Sequence, residues 1–130
     1  MDRASVDRWL ERYIAAWKSY DESAVKELFT ADAEYRFHPW DEPTVGADAI
    51  YSAWVEPDSI DKPGTIEASY RCVAVDGDRA VAIGDSTYYE SPGGPVRTIY
   101  DNCFVMSFEG DRCKSFTEWF MERPKEGSAT

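Results

Sequence analysis

Histidine is nearly missing from this chain, His38 being the only one. Metal centres of the common kinds need several imidazoles, thiolates or carboxylates at short, regular spacing. One His and scattered acids supply no such spacing, so no metal is expected. Cysteine is sparse as well: Cys72, Cys103 and Cys113 are an odd number without a CxxC pair. They read as reduced, buried, small apolar residues of a cytoplasmic protein. No His or cationic cluster adjoins any of them to make a reactive thiol. The start of the chain fits that location, because Met1 to Ser5 runs straight into an amphipathic helix with no signal-peptide pattern.

Positive charge is also in short supply, with 14 Lys and Arg against 25 Asp and Glu and a net charge of −11. Such a chain repels phosphate backbones and anionic lipid, so neither nucleic acid nor a membrane is expected as a partner. No apolar run approaches membrane-spanning length. There is no GxSxG elbow and no Gly-rich loop between a strand and a helix to cradle phosphate. Gly93-Gly94 lies between prolines and reads as a hairpin turn. Nothing here calls for a cofactor.

Aromatic residues are abundant: five Trp, eight Tyr and six Phe in 130 residues. Each large ring can bury roughly 150–250 Å². That many rings in a chain of one-domain length imply a core, a pocket or an interface built from flat surfaces. The domain is expected over 1–122, with 123–130 as a disordered tail.

Val6, Trp9, Leu10, Tyr13, Ile14, Trp17 and Tyr20 recur at helical spacing, and Asp2 or Ser5 can cap that helix. A short second helix follows Asp21, with Val25, Leu28 and Phe29 on its apolar face. Thr30 to Ala33 reads as a break, Glu34 to His38 as a strand, and Gly46 to Val55 as a third helix. The remainder reads as four strands: Thr65 to Val75, Arg79 to Glu90, Val96 to Phe108 and Arg112 to Met121. Each pair is joined by a turn bearing the Gly or Asp that a hairpin needs. Flat strands of that length would span roughly 33–44 Å. That is wider than a small domain, so the antiparallel meander must twist and curl around something.

Three local patterns carry a resemblance. Ala16-Trp17 runs through Asp21 to Leu28-Phe29-Thr30-Ala31-Asp32-Ala33. Pro39 is followed by Val45-Gly46 and Ala49-Ile50. Tyr100 to Phe108 leads through Gly110-Asp111-Arg112 to Phe116-Thr117-Glu118-Trp119-Phe120. With the element order, these resemble the nuclear transport factor 2-like superfamily over residues 5–122, closest to its polyketide-cyclase-like (SnoaL-like) branch. The resemblance implies an α+β cone in which a curved antiparallel sheet wraps over the long first helix. It also implies a pocket near the end of the first strand and a dimer through the convex sheet face. The superfamily holds isomerases, cyclases, dehydratases and non-catalytic binding domains.

By similarity to ketosteroid isomerase, Phe116 and Glu118 on the last strand, and Tyr100, Asn102 and Phe104 on the one before it, point into the cone. Glu118 would then be a carboxylate among rings and a general acid or base, with a pKa raised toward neutrality. The other reading pairs it with Arg36, Arg71 or Arg97. His38, beside Pro39, is the second candidate acid–base group; its alternative is a hydrogen-bonded loop residue. The isomerase base falls on Phe37 here and its second carboxylate on Phe104, which speaks against steroid isomerisation. Asn102 and Tyr100 would orient a polar group of a ligand. Tyr13, Trp17, Tyr35, Phe37, Trp54, Tyr88, Phe104 and Phe116 would wall the pocket, with plain core packing as the other reading of Tyr13, Trp17 and Tyr88. The expected ligand is small and largely apolar, and any reaction would be cofactor-free proton transfer. Trp119, Cys103, Val105 and Met121, facing outward, predict the seam of a homodimer.

Overall fold

The computed structural model describes residues 1–57 and 61–124. Most of the tail expected over 123–130 lies outside the described residues. Helix α1, Arg3–Ser19, begins with a capping box: the Asp2 side chain accepts from the Ser5 N–H, and the Ser5 hydroxyl accepts from the Asp2 N–H. It ends on Tyr20, whose N–H still donates to the Ala16 carbonyl at 2.8 Å and whose left-handed φ of 53° then turns the chain out of the helix. A short helix α2, Glu22–Glu27, is capped by Asp21, whose carboxylate accepts from the Ala24 N–H at 3.0 Å.

Strand β1 spans Phe29–Arg36, starting where a break was expected and ending before His38. The reason is a bulge. Phe29 pairs with Cys113, pairing resumes only at Glu34 opposite Ser115, and the shift between them scrambles the inside–outside alternation. Strand β2 is only Thr44–Val45, too short to leave a periodic trace in the sequence. Helix α3, Ala47–Trp54, follows Gly46, whose φ of 97° suits glycine. Strands β3 (Ile66–Asp76), β4 (Arg79–Tyr89), β5 (Val96–Glu109) and β6 (Arg112–Glu122) form the antiparallel meander.

The sheet order is β2-β1-β6-β5-β4-β3, with β1 parallel to β6. Register shifts that leave extra residues on β1, β3, β5 and β6 mark bulges, which bend and twist strands. The result is an α+β fold with a curved, unclosed sheet over α1. Along α1, Val6, Trp9, Leu10, Tyr13 and Ala16 are buried against the sheet. Phe104 from β5 and Phe116 from β6 meet the Tyr13 ring at 5.8 and 5.4 Å between centroids, and each other at 4.8 Å. No helix among the described residues is long and apolar enough to cross a membrane.

Gly84 in β4 has a specific steric task. A Cβ there would lie 2.0 Å from the Ser69 carbonyl oxygen and 2.6 Å from Cδ1 of Tyr70. The bare backbone leaves room for the Tyr70 ring, which then meets Phe104 edge-on at 4.7 Å. Gly84→Ala is therefore expected to cost about 3 kcal/mol, the upper range for overpacking where backbone must move. Urea denaturation of the variant checks this; a midpoint equal to wild type would show that the strand has slack.

Candidate functional site

Between α1, α3, the loop leading to β3 and the concave sheet lies a cavity of about 550 Å³. That volume suits a small organic molecule. Strand alternation brings Asn102 and Glu118 to the same face of adjacent strands, close enough to bond. The Ser86 hydroxyl donates to Asn102 Oδ1 at 3.0 Å, and Asn102 Nδ2 then donates to Glu118 Oε2 at 2.8 Å. Asn102 and Ser86 are buried. The relay therefore holds one oxygen of Glu118 and has no described partner on Oε1.

None of the three arginines considered from sequence forms an ion pair with Glu118. Arg36 pairs with Glu34 at 3.6 Å and donates from Nε to the Asp41 carbonyl at 3.2 Å. Arg71 is exposed on β3. Arg97 sits with its guanidinium 5.4 Å from the Tyr88 ring centre. With no such pairing among the described residues, burial dominates and pushes Glu118 up to about 7; the Asn102 bond and the charge of His38 pull the other way. A carboxyl poised there can take or give a proton near neutral pH.

The phenols beside it stay neutral. Tyr13 and Tyr35 share a hydroxyl–hydroxyl bond of 3.1 Å, and burial raises both pKa values well above the ordinary range. One hydroxyl donates to the other, which leaves one phenolic hydrogen to spare. Tyr70 and Tyr88 are raised for the same reason, with the Glu118 carboxylate adding to it. Trp54 Nε1 is buried with no hydrogen-bond partner among the described residues.

Of the residues expected at a pocket, Tyr13, Trp17, Tyr35, Phe37 and Trp54 line the cavity. So do Tyr88, Tyr100, Asn102 and Glu118. Phe104 and Phe116 are not walls: both are 0 % exposed and pack behind the lining rings. His38 is also off the lining. Its Nδ1 is 2.9 Å from Asp41 Oδ2, its backbone N–H donates to the same oxygen, and its ring stacks on exposed Trp40 at 4.9 Å. Its ring lies 5.4 Å from that of Phe120, which does line the cavity.

Tyr20, Asp61, Tyr70 and Phe120, not expected at the pocket from sequence, also line the space, as does Arg97, which was considered only as a partner for Glu118. Phe120 shares the inward face of β6 with Glu118, so alternation could have found it. Asp61 lies on a loop with no period to read. Its Oδ2 accepts from Trp17 Nε1 at 3.1 Å and from the Tyr20 hydroxyl at 3.3 Å, while its N–H donates to Tyr20 Oη at 3.0 Å. Burial raises its pKa; the Trp17 and Tyr20 bonds and nearby Arg97 oppose that.

The pattern of a family described as "SnoaL-like domain" matches residues 10–116. No curated protein matches the chain. Among solved structures, an NTF2-like protein from Burkholderia xenovorans LB400 is 17 % identical, with 93 % of this chain and 92 % of that chain covered at a TM-score of 0.64. A ketosteroid isomerase-like protein from Erwinia carotovora atroseptica SCRI1043 is 17 % identical, with 94 % and 97 % covered at 0.61. Bal32a, from a soil-derived mobile gene cassette, is 22 % identical, with 91 % and 90 % covered at 0.64. At these identities the likeness is one of fold.

Proposed function

Because the chain belongs to the family of SnoaL-like domains, we propose that its cavity binds a small, largely apolar molecule and that Glu118 moves a proton on it without a cofactor. The observation that carries this reading is the chemistry of Glu118: a partly buried carboxyl facing a ring-lined space, bonded by a neutral amide and titrating at about 7. As a carboxylate it removes a proton from a carbon beside a carbonyl; as the acid it returns that proton to another atom of the same molecule. Isomerisation, cyclisation and dehydration all use this step. The spare hydroxyl hydrogen of the Tyr13–Tyr35 pair is the donor for negative charge developing on the carbonyl oxygen.

The test is proton–deuteron exchange beside the carbonyl in a panel of cyclic ketones, followed by NMR in heavy water. The wild-type protein is expected to speed exchange in at least one member, and Glu118→Gln to lose about 10²–10⁴ of that rate. Binding without any exchange, equal in both proteins, would sink the catalytic reading. It would leave a non-catalytic ligand-binding domain, the reading favoured by Phe37 and Phe104 at positions where ketosteroid isomerases carry acids.

The convex face supports a homodimer. Trp119 is 44 % exposed and Met121 75 % exposed, beside half-buried Cys103 and Val105. Large apolar groups grouped on one face are what subunits bury. Light scattering at micromolar concentration is expected to give twice the mass of one chain, and Trp119→Asp to give a monomer. A wild-type monomer would end that proposal. The three cysteines are free thiols, which suits the reducing cytoplasm.

A further inference from the structure

One end of the cavity is built unlike the rest. Trp17 and Tyr88 stand with ring centres 6.0 Å apart and planes at 59°. Tyr88 and Tyr100 stand 5.7 Å apart at 89°. Three neighbouring rings that are not parallel make a corner of π faces, and all three are only partly buried and line the cavity. Asp61 is tied to this corner through Trp17 Nε1. Both described side-chain bonds fall on Oδ2, from Trp17 and Tyr20, and none on Oδ1. Tyr20 makes its bonds to Asp61 from a left-handed backbone that a tyrosine seldom adopts, so the loop is held to α1 at a conformational cost.

Rings set at angles around a carboxylate are the physical specification for a bulky organic cation. The quadrupole of each ring face attracts positive charge, and a quaternary ammonium is hydrated weakly enough to give up its water. The protein shows that attraction itself, with the Arg97 guanidinium 5.4 Å from the Tyr88 ring centre. Arg97 is exposed and can yield that face. An anionic ligand drawn to Arg97 would instead meet Asp61 here and Glu118 deeper in the same cavity. Asp61 and Glu118 line one cavity, and the charge of each adds to the rise that burial gives the Tyr88 phenol.

We propose that the Trp17, Tyr88 and Tyr100 corner with Asp61 is a subsite for an alkylammonium group, so that the ligand of this cavity carries a positive charge at that end. This rests on the reading of the cavity as a ligand site and narrows its ligand class from largely apolar to amphiphilic and cationic.

The experiment is an NMR shift titration of the full chain with choline and with its neutral isostere, in which a quaternary carbon replaces the nitrogen. Shape is then constant and only charge differs. Choline is expected to bind about tenfold more tightly. Asp61→Asn should bring the two ligands to parity, and Tyr88→Leu should weaken choline alone. Arg97→Gln, at the exposed edge of the corner, should tighten choline by removing a like charge. Equal affinities in wild type, a preference that survives Asp61→Asn, or tighter binding of the matching carboxylate probe would overturn the subsite. Binding of the neutral isostere without preference for choline would leave the cavity reading standing. Binding of neither would take both down.

Discussion

Glu118→Gln is expected to stabilise the folded protein by about 3 kcal/mol at pH 8 and to change little at pH 4. The sign follows from linkage. The folded state holds the Glu118 proton at about 7, against an ordinary value of 4.5. Below pH 4.5 the carboxyl is neutral in both states and contributes nothing to pH dependence. As pH rises from about 4.5 to about 7, the unfolded chain releases the proton while the folded one retains it, so stability falls across that window. At about 1.4 kcal/mol per pH unit, the loss is complete above 7 and comes to about 3 kcal/mol. Glutamine has no proton to lose, and its carbonyl oxygen can still accept from Asn102. Urea melts of both proteins at pH 4 and pH 8 give the difference directly. An advantage for the variant that is equal at the two pH values would show that packing, not ionisation, is at issue.

A second large effect is expected away from the site. Phe116→Ala should cost about 3–5 kcal/mol, the range for removing a fully buried ring. The ring stacks on Tyr35 at 4.6 Å and 6°, and on Tyr13 at 5.4 Å and 20°, and it contacts Trp9 and Phe104. Those neighbours belong to three separate elements besides β6, so they cannot collapse together into the void. For a chain of this length the thermal midpoint should drop by about 10–20 °C. Phe37→Ala, at the cavity wall and already partly exposed, should cost far less. Calorimetry of the two variants checks the contrast. Equal losses would mean that Phe37 belongs to the core and that the cavity is not where the structure puts it.

These two positions show what could be read from the chain before its structure. Both lie on the inward face of β6, and strict alternation identified that face correctly. Alternation reports which way a side chain points, not how far inside it ends. Glu118 faces the cavity one step along from Phe116, which the rings of α1 cover. The four long strands were legible because Asp76-Gly77-Asp78, Gly93-Gly94 and Glu109-Gly110-Asp111 leave the chain little choice but to turn. The start of β1 was not, because the bulge between Phe29 and Glu34 erases the period. Asp61 was hidden for a different reason. Its position depends on Trp17 and Tyr20, more than 40 residues earlier, and no local pattern encodes a contact of that range. The site itself was half visible: Asn102 and Glu118 could be placed side by side from register, but the Ser86 hydroxyl that orients the amide could not.

Glu118 titrates near neutrality because the fold buries it with no cation bonded to it among the described residues. A carbon-detected NMR titration of its side-chain carboxyl, assigned by the signal missing from Glu118→Gln, measures this directly. A midpoint of about 7 is expected. A midpoint in the ordinary glutamate range, about 4.3, would contradict it.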